Sequence, residues 1–133
     1  MRERQRRQEL MRKENIIMIT VQKLNYFGAD VSSGLRRCSG MADFYLEMVT
    51  KVLDDTPRFD ELEQAVKEGR LHEAFEIAHS LKGVYANLSL EPVLAPISRI
   101  TEMLRHEEPG DYDTLIQEIR EKHAELCALA RED

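Results

Sequence analysis

The sequence is poor in several kinds of residue, and each scarcity excludes a class of protein. Its 133 residues include no Trp, two Cys, four Pro and six Gly. Two cysteines are too few for a disulfide scaffold, so we expect free thiols in a reducing compartment. The few Pro and Gly argue against a loop-rich all-β fold. No apolar run approaches the roughly 18 residues that span a bilayer, and no apolar stretch follows the Arg-rich start as in a secretory signal. We therefore expect a cytoplasmic protein that makes no use of a membrane.

Charge is distributed unevenly along the chain. Residues 1–15 carry six basic and three acidic side chains, so the other 118 residues carry a net charge of −9 against a total of −6. An acidic body is a poor match for nucleic acid. We interpret residues 1–15 as a basic, flexible N-terminal extension and residues 16–133 as the folded domain. The initial Met with its Arg-rich leader favours a free-standing protein.

Two short helices are predicted in the first half of the sequence. Asp30 is a typical N-cap residue for the first of them, and Gly40 is typical of the position just past a helix end. The second covers roughly residues 41–53. Its apolar side chains recur at helical spacing on one stripe: Met41, Phe44, Tyr45, Met48, Val49 and Val52.

Four longer helices are predicted to follow. In the first of these, Thr56 is the expected cap, Pro57 stands at the first helical position and Gly69 lies just past the end. No segment alternates with period two for long enough to compete as a strand. The sequence therefore predicts an all-α domain in which the last four helices form an antiparallel four-helix bundle, with additional short N-terminal helices. The other three of these helices cover about 71–88, 90–107 and 111–130.

The predicted helix over 71–88 carries the most informative residues. At about 100° per residue, its apolar side chains fall into one broad arc that must face the core. His79 lies about 140° from the centre of that arc, so we expect an exposed imidazole in mid-helix. Lys82 and Gly83 follow one turn later, although Gly inside a helix costs about 0.5–1 kcal/mol relative to Ala. This exposed face predicts a docking platform around a nucleophile. The core arc consists of Leu71, Ala74, Ile77, Ala78, Leu81, Val84, Tyr85 and Leu88.

Plainer interpretations of the same residues stay open at this point. An exposed His79 can be merely solvated, Lys82 can be a solubilising surface charge, and Gly83 can serve close packing against another helix. A non-catalytic helical adaptor that binds a signalling partner would share these features. Elsewhere, His123 lies in the apolar stripe of the last helix and is expected at the edge of the core, whereas His106 is expected to be solvated.

A metal protein is a further alternative. Glu76 and His79 form a Glu-x-x-His motif of the kind that di-iron helical bundles use twice, and His72 would add a third ligand type. Against this, di-iron motifs project into the bundle core, whereas the wheel places this face outward. The chain also has no second Glu-x-x-His motif. We therefore expect no metal site.

A family resemblance rests on the same helix. The run Ala78-His79-Ser80-Leu81-Lys82-Gly83, followed by Asn87-Leu88, closely resembles the histidine-containing phosphotransfer (HPt) domains of multistep phosphorelays. The signature of these domains is a His-x-Leu-Lys-Gly segment before a helix end of the Asn-Leu-Gly type. The resemblance covers about residues 26–130. The sequence departs from the pattern at Ser89, where many members have Gly; this change alters the helix end or lets Ser89 cap the next helix.

The resemblance implies a phosphorelay intermediate. His79 would be the phosphoacceptor, which takes a phosphoryl group from a phosphoaspartate on a receiver domain and passes it to another receiver. Lys82 would offset charge on the phosphoryl oxygens. Gly83 would let the receiver approach the helix backbone. Together with the wheel, this predicts a receiver-docking face around His79 that carries Phe75, Glu76, Gly83 and Ala86.

The resemblance also implies partners and cofactors. Response-regulator receiver domains or a hybrid sensor histidine kinase would be the partners of a monomeric protein. The chain would need no cofactor of its own, and Mg²⁺ would belong to the receiver, since this sequence offers no acidic triad with suitable spacing. The sequence contains no G-x-x-x-x-G-K-[ST] loop, so we expect a phosphohistidine carrier without autokinase or ATPase activity.

Overall fold

The computed structural model describes residues 2–3 and 18–131. The described residues form seven helices and no strand, so the all-α prediction is confirmed. The predicted basic extension, residues 1–15, lies outside the described residues apart from 2–3. Among the helices described, none is long and apolar enough to cross a membrane. The helices are α1 (Val21–Phe27), α2 (Val31–Arg37), α3 (Ala42–Val52), α4 (Thr56–Lys67), α5 (Leu71–Asn87), α6 (Glu91–Arg105) and α7 (Tyr112–Arg131).

The last four helices pack as a closed ring. Helix α4 contacts α5 and α7, and α6 contacts α5 and α7, which gives the four-helix bundle that the sequence predicts. Short connections join consecutive helices, as is typical of antiparallel neighbours. The predicted core arc of α5 faces the centre of this ring: Ala74, Ala78, Leu81, Tyr85 and Leu88 are buried, whereas Leu71, Ile77 and Val84 are half-buried.

The helix ends correct two predictions made from sequence. Helix α4 begins at Thr56, and its N-cap residue is Asp55, so the prediction that Thr56 is the cap was wrong by one residue. Leu90 precedes α6 as its N-cap, so Ser89 does not cap that helix. Ser89 is buried with φ +53°, a left-handed conformation that glycine adopts more easily than serine. Serine here thus occupies the backbone conformation for which Gly is better suited.

The N-terminal helices brace one side of the bundle. Helix α1, which the sequence analysis did not predict, packs on α7 and buries Leu24. Its N-cap is Thr20, whose Oγ1 accepts a hydrogen bond from the Lys23 backbone N–H at 3.1 Å. Asp30 caps α2 as predicted and accepts from the Ser33 backbone N–H at 3.1 Å, but α2 already ends at Arg37.

Helix α3 fixes the C-terminal end of α5. The hydroxyl of Tyr45 donates a hydrogen bond of 2.8 Å to the carbonyl oxygen of Leu88, and the Tyr45 side chain is fully buried. Val49 and Val52 are buried on the same face, whereas Met41 and Phe44 are exposed. The apolar stripe predicted for this helix is therefore narrower in the structure than in the sequence.

Candidate functional site

His79 lies in the middle of α5 with its side chain exposed. The residues on either side along the buried arc, Ala78 and Leu81, are fully buried, so the backbone beneath His79 is held by the core. The imidazole stacks on the ring of Phe75, one turn earlier, with ring centroids 5.5 Å apart and an interplanar angle of 21°. The exposure that the helical wheel predicts is thus what the fold produces, and the ring is supported on one side.

Phe75 is itself held from the neighbouring helix. The guanidinium carbon of Arg105, in the last turn of α6, lies 4.9 Å from the centroid of the Phe75 ring. Such a cation–π contact is worth about 0.5–1 kcal/mol at an exposed site. Phe75 is half-buried between this contact and the imidazole of His79. The aromatic ring therefore connects α6 to the orientation of His79.

Lys82 pairs across the helix interface and does not point freely into solvent. Its Nζ lies 3.7 Å from Oε1 of Glu102 on α6. The same carboxylate accepts a hydrogen bond of 3.3 Å from Nε of Arg105 and lies 3.9 Å from Nε2 of His106. Desolvation raises the pKa of Glu102, but the Arg105 hydrogen bond and the attraction of Arg105, Lys82 and His106 outweigh it, and the pKa is lowered overall. A stable carboxylate therefore lies beside the lysine.

The small residues of the face leave open space around His79. Gly83 is exposed, and a Cβ added to it would meet no atom within 4 Å. The alternative that Gly83 serves close helix packing is therefore wrong within the described chain. Ala86, one turn further on, is half-buried. The side chains that follow His79 on this face are consequently small, and another molecule can approach the helix backbone there.

Two further contacts border this face. Glu76 is exposed, and its Oε1 lies 2.8 Å from Nε2 of His72, so its carboxylate is directed along α5 and away from His79. The hydroxyl of Ser80 accepts a hydrogen bond of 2.7 Å from Arg58 on α4. Arg58 thereby ties α4 to α5 next to His79. Of the predicted site residues, the structure brings Phe75 and His79 into contact, while Lys82 and Glu76 each bind another partner.

The other histidines have structural surroundings. His123 is buried, with Nε2 at 2.8 Å from the carbonyl oxygen of Val52 and its ring edge-to-face with Phe59 at 4.9 Å. His106 is exposed and follows the last residue of α6. The described residues contain no group of three or more His, Cys, Asp or Glu side chains arranged to hold a metal ion. The Glu76–His79 metal alternative thus lacks a third ligand there.

Sequence reasoning missed two residues that contact the site, Glu102 and Arg105. Both lie on α6, three positions apart, and therefore on one face of that helix. The periodicity of the sequence could have placed them together on a polar face. It could not show that this face meets Phe75 and Lys82, because that depends on how α6 is rotated against α5.

Comparison with known proteins gives one finding. The family model described as "Hpt domain" matches residues 47–129, which is more than half of the chain. The matched range runs from the middle of α3 to near the end of α7 and includes all the residues of the candidate site. No curated protein and no solved structure matches the chain.

Proposed function

Because the chain belongs to the Hpt domain family, whose members transfer phosphoryl groups in His–Asp phosphorelays and interact with receiver domains and kinases, we propose that His79 is its phosphoacceptor. It accepts the phosphoryl group from a phosphoaspartate on one receiver domain and passes it to an aspartate on another. The observation that carries this proposal is the exposed imidazole in mid-helix, stacked on Phe75 and one turn from Lys82, within the matched range.

The chemistry is a displacement at phosphorus. A ring nitrogen of neutral His79 attacks the phosphorus, a P–N bond forms, the P–O bond to the aspartate breaks, and the aspartate leaves as a carboxylate. Onward transfer is the same displacement with a second aspartate as nucleophile and the imidazole as leaving group. Histidine suits the first step because an unprotonated ring nitrogen carries the lone pair that attacks phosphorus.

The protein contributes positioning and charge more than covalent machinery, as is general in phosphoryl transfer. Stacking on Phe75 limits the orientations of the imidazole. Lys82 supplies a positive charge for the phosphoryl oxygens. We place the Mg²⁺ of the reaction on the receiver, since Glu76, one turn from His79, and Glu102, beside Lys82, are each paired with a histidine or a cation of this chain.

The receiver docks over the face formed by Phe75, Glu76, Gly83 and Ala86. A receiver whose aspartate lies in a recess can reach His79 only if the side chains next to His79 on the helix are small. The absent side chain at Gly83 and the methyl group of Ala86 supply that clearance. The docking surface is therefore defined by small residues around one nucleophile.

The test is transfer from a phosphorylated receiver domain. We expect the protein to gain an acid-labile, alkali-stable phosphoryl group, and the His79→Gln variant to gain none. His72→Gln, on the same helix as His79, and His106→Gln, just past the end of α6, are matched controls because each removes an exposed histidine, and both should label like the unaltered protein. If the His79→Gln variant were still labelled, His79 would not be the phosphoacceptor. Absence of labelling from every receiver of the source organism would instead favour the adaptor alternative.

A further inference from the structure

Glu102 is the point at which a lysine, an arginine and a histidine side chain meet close to the proposed acceptor. Lys82, Arg105 and His106 all lie within 4 Å of its carboxylate, from two different helices. Glu102 is half-exposed, so these contacts form on the surface of the bundle and can exchange without disturbing the core. Within the described residues, the ion pair of Lys82 is the one with Glu102.

A phosphoryl group on His79 would compete for the same lysine. Residues three positions apart on a helix have Cβ atoms about 5–6 Å apart, which brings the Lys82 ammonium within reach of a group on His79. A protein-bound phosphoryl group carries roughly −1.5 to −2 charges at pH 7, more than the single charge of a carboxylate. Once His79 is phosphorylated Lys82 therefore has two anionic partners, whereas before that its ion-pair partner among the described residues is Glu102.

The cost of releasing Lys82 from Glu102 is small because the carboxylate keeps other partners. Arg105 still donates its hydrogen bond, and His106 stays close, after Lys82 has turned away. Releasing the lysine thus leaves no isolated charge. The attraction of Glu102 for Lys82 nevertheless subtracts from the attraction of Lys82 for the phosphoryl group.

We propose that Glu102 is a positioning residue that competes with the phosphoryl group for Lys82 and thereby sets how strongly the site holds that group. This proposal rests on the proposed function of His79. Glu102 acts through Lys82, not by contact with His79. A phosphoryl carrier must pass the phosphoryl group on. A weaker attraction between Lys82 and that group keeps the phosphohistidine a good donor for the next receiver.

The experiment measures the second ionisation of the phosphoryl group on His79. Phosphoramidate loads the histidine without a receiver: a ring nitrogen attacks the phosphorus, the P–N bond of the reagent breaks, and ammonia leaves. ³¹P NMR then follows with pH the phosphohistidine signal that is absent from His79→Gln, in the unaltered protein, Glu102→Gln, Lys82→Ala and the double variant. Glu125→Gln is the matched control, since Glu125 forms a similar exposed pair with Lys122 at 3.5 Å on α7.

We expect Glu102→Gln to lower the titration midpoint by about 0.2–0.7 pH unit, the size that an exposed ion pair supports. A lysine freed from Glu102 favours the dianion, so the last proton leaves at lower pH. Glu125→Gln should leave the midpoint unchanged. In the Lys82→Ala background, Glu102→Gln should have little effect. The other charged groups around the site are the same on both sides of each comparison: His72, Glu76, Arg105, His106 and Arg58.

Two results would overturn the proposal. An unchanged midpoint in Glu102→Gln would show that the carboxylate does not restrain Lys82. An equal shift with and without Lys82 would show that Glu102 acts directly by its own charge. Failure of the proposed function is detected separately, because a phosphorylated receiver would then fail to label His79 although phosphoramidate still loads that exposed histidine.

Discussion

Gly83 and Gly34 both stand inside helices, but their surroundings are opposite. A Cβ on Gly34 would lie 2.5 Å from Cε1 of the buried Tyr45 ring, whereas a Cβ on Gly83 would meet nothing within 4 Å. Glycine costs about 0.5–1 kcal/mol relative to Ala in either helix. The packing of Tyr45 explains Gly34. Within the described chain no packing contact explains Gly83, and the docking of a receiver proposed above would explain it.

Substitution of Gly83 should therefore separate fold from function. We expect Gly83→Leu to keep the helical content and to raise the free energy of unfolding slightly, because leucine is a better helix former. Phosphoryl transfer from a receiver should slow by about 100-fold, since a misplacement of about 1 Å can have that effect. Circular dichroism with urea unfolding checks the first expectation, and single-turnover transfer checks the second. If Gly83→Leu accepted the phosphoryl group at the native rate, the receiver would have to dock on a face that does not include Gly83.

The opposite outcome is expected for Gly34→Ala. Its new methyl group must displace the ring of Tyr45, and overpacking of this kind costs about 1–3 kcal/mol. The free energy of unfolding should fall by that amount in urea titration. The folded fraction should still accept the phosphoryl group at the native rate, since Gly34 lies on α2 and not on the face around His79. Stability equal to that of the unaltered protein would mean that the ring moves aside freely.

At the scale of single residues, the sequence predicted what one helix alone decides. The exposure of His79 follows from its angle to the apolar arc of α5, and the burial of His123 follows from its place in the stripe of α7. The contacts of Arg105 with Phe75 and of Glu102 with Lys82 join different helices. No periodicity within one helix carries that information.

At the scale of elements, α5 presents the site because hydroxyl groups fix it to its neighbours. Tyr85 donates a hydrogen bond of 2.9 Å to Oδ2 of Asp55 in the turn before α4, and Tyr45 donates to the carbonyl of Leu88 at the end of α5. Burial, with a smaller contribution from nearby Cys38 and Asp30, raises the pKa of Tyr45 from its ordinary value near 10 to about 12. The pKa of Tyr85 is raised further, again mainly by burial.

This arrangement predicts alkaline instability. The folded state binds the Tyr45 proton more tightly than the unfolded state does. The stability that the protonated hydroxyl of Tyr45 adds to the folded state is therefore complete below pH 10 and is lost as the pH rises through about 12. A shift of this size corresponds to an effect on the order of 2–3 kcal/mol. Tyr45→Phe should lose about 1 kcal/mol at pH 8 with its hydrogen bond. Between pH 10 and 12 its unfolding free energy in urea should then fall less than that of the unaltered protein. If the unfolding free energies of Tyr45→Phe and the unaltered protein fell in parallel with pH, the raised pKa of Tyr45 would be contradicted.

The elements that the sequence predicted best are those with long apolar stripes. Helices α4 to α7 each run for three turns or more, and their stripes fixed both their existence and their inward faces. Helix α1 has seven residues and buries Leu24 alone, and so short a helix is marginal by itself. Its Thr20 cap and its packing on α7 stabilise it, and only the cap is visible in sequence. The error at Thr56 is one residue, within the usual uncertainty of helix ends.

At the scale of the whole molecule, the chemistry lies on the outside of a filled bundle. The ring of α4 to α7 encloses a core of aliphatic and aromatic side chains, and His79 stands on its outer surface. Among the residues described around His79, no enclosed active site forms, and the available groups are an aromatic support, one lysine and small residues. Under the proposed function, this surface offers the nucleophile and the receiver supplies the rest of the catalytic groups.

The source of the phosphoryl group is therefore predicted to be a protein and not a nucleotide. With ATP and Mg²⁺ alone we expect no incorporation, because the sequence contains no phosphate-binding loop and the exposed face of α5 has a single lysine to oppose the charges of a triphosphate. Addition of a phosphorylated receiver should give up to one phosphoryl group per chain. The measurement is radiolabel incorporation in a kinase-free preparation, with His79→Gln as the blank. Incorporation from ATP alone that depends on His79 would mean that the chain activates the nucleotide itself, which a carrier that depends on its partner's catalytic groups cannot do.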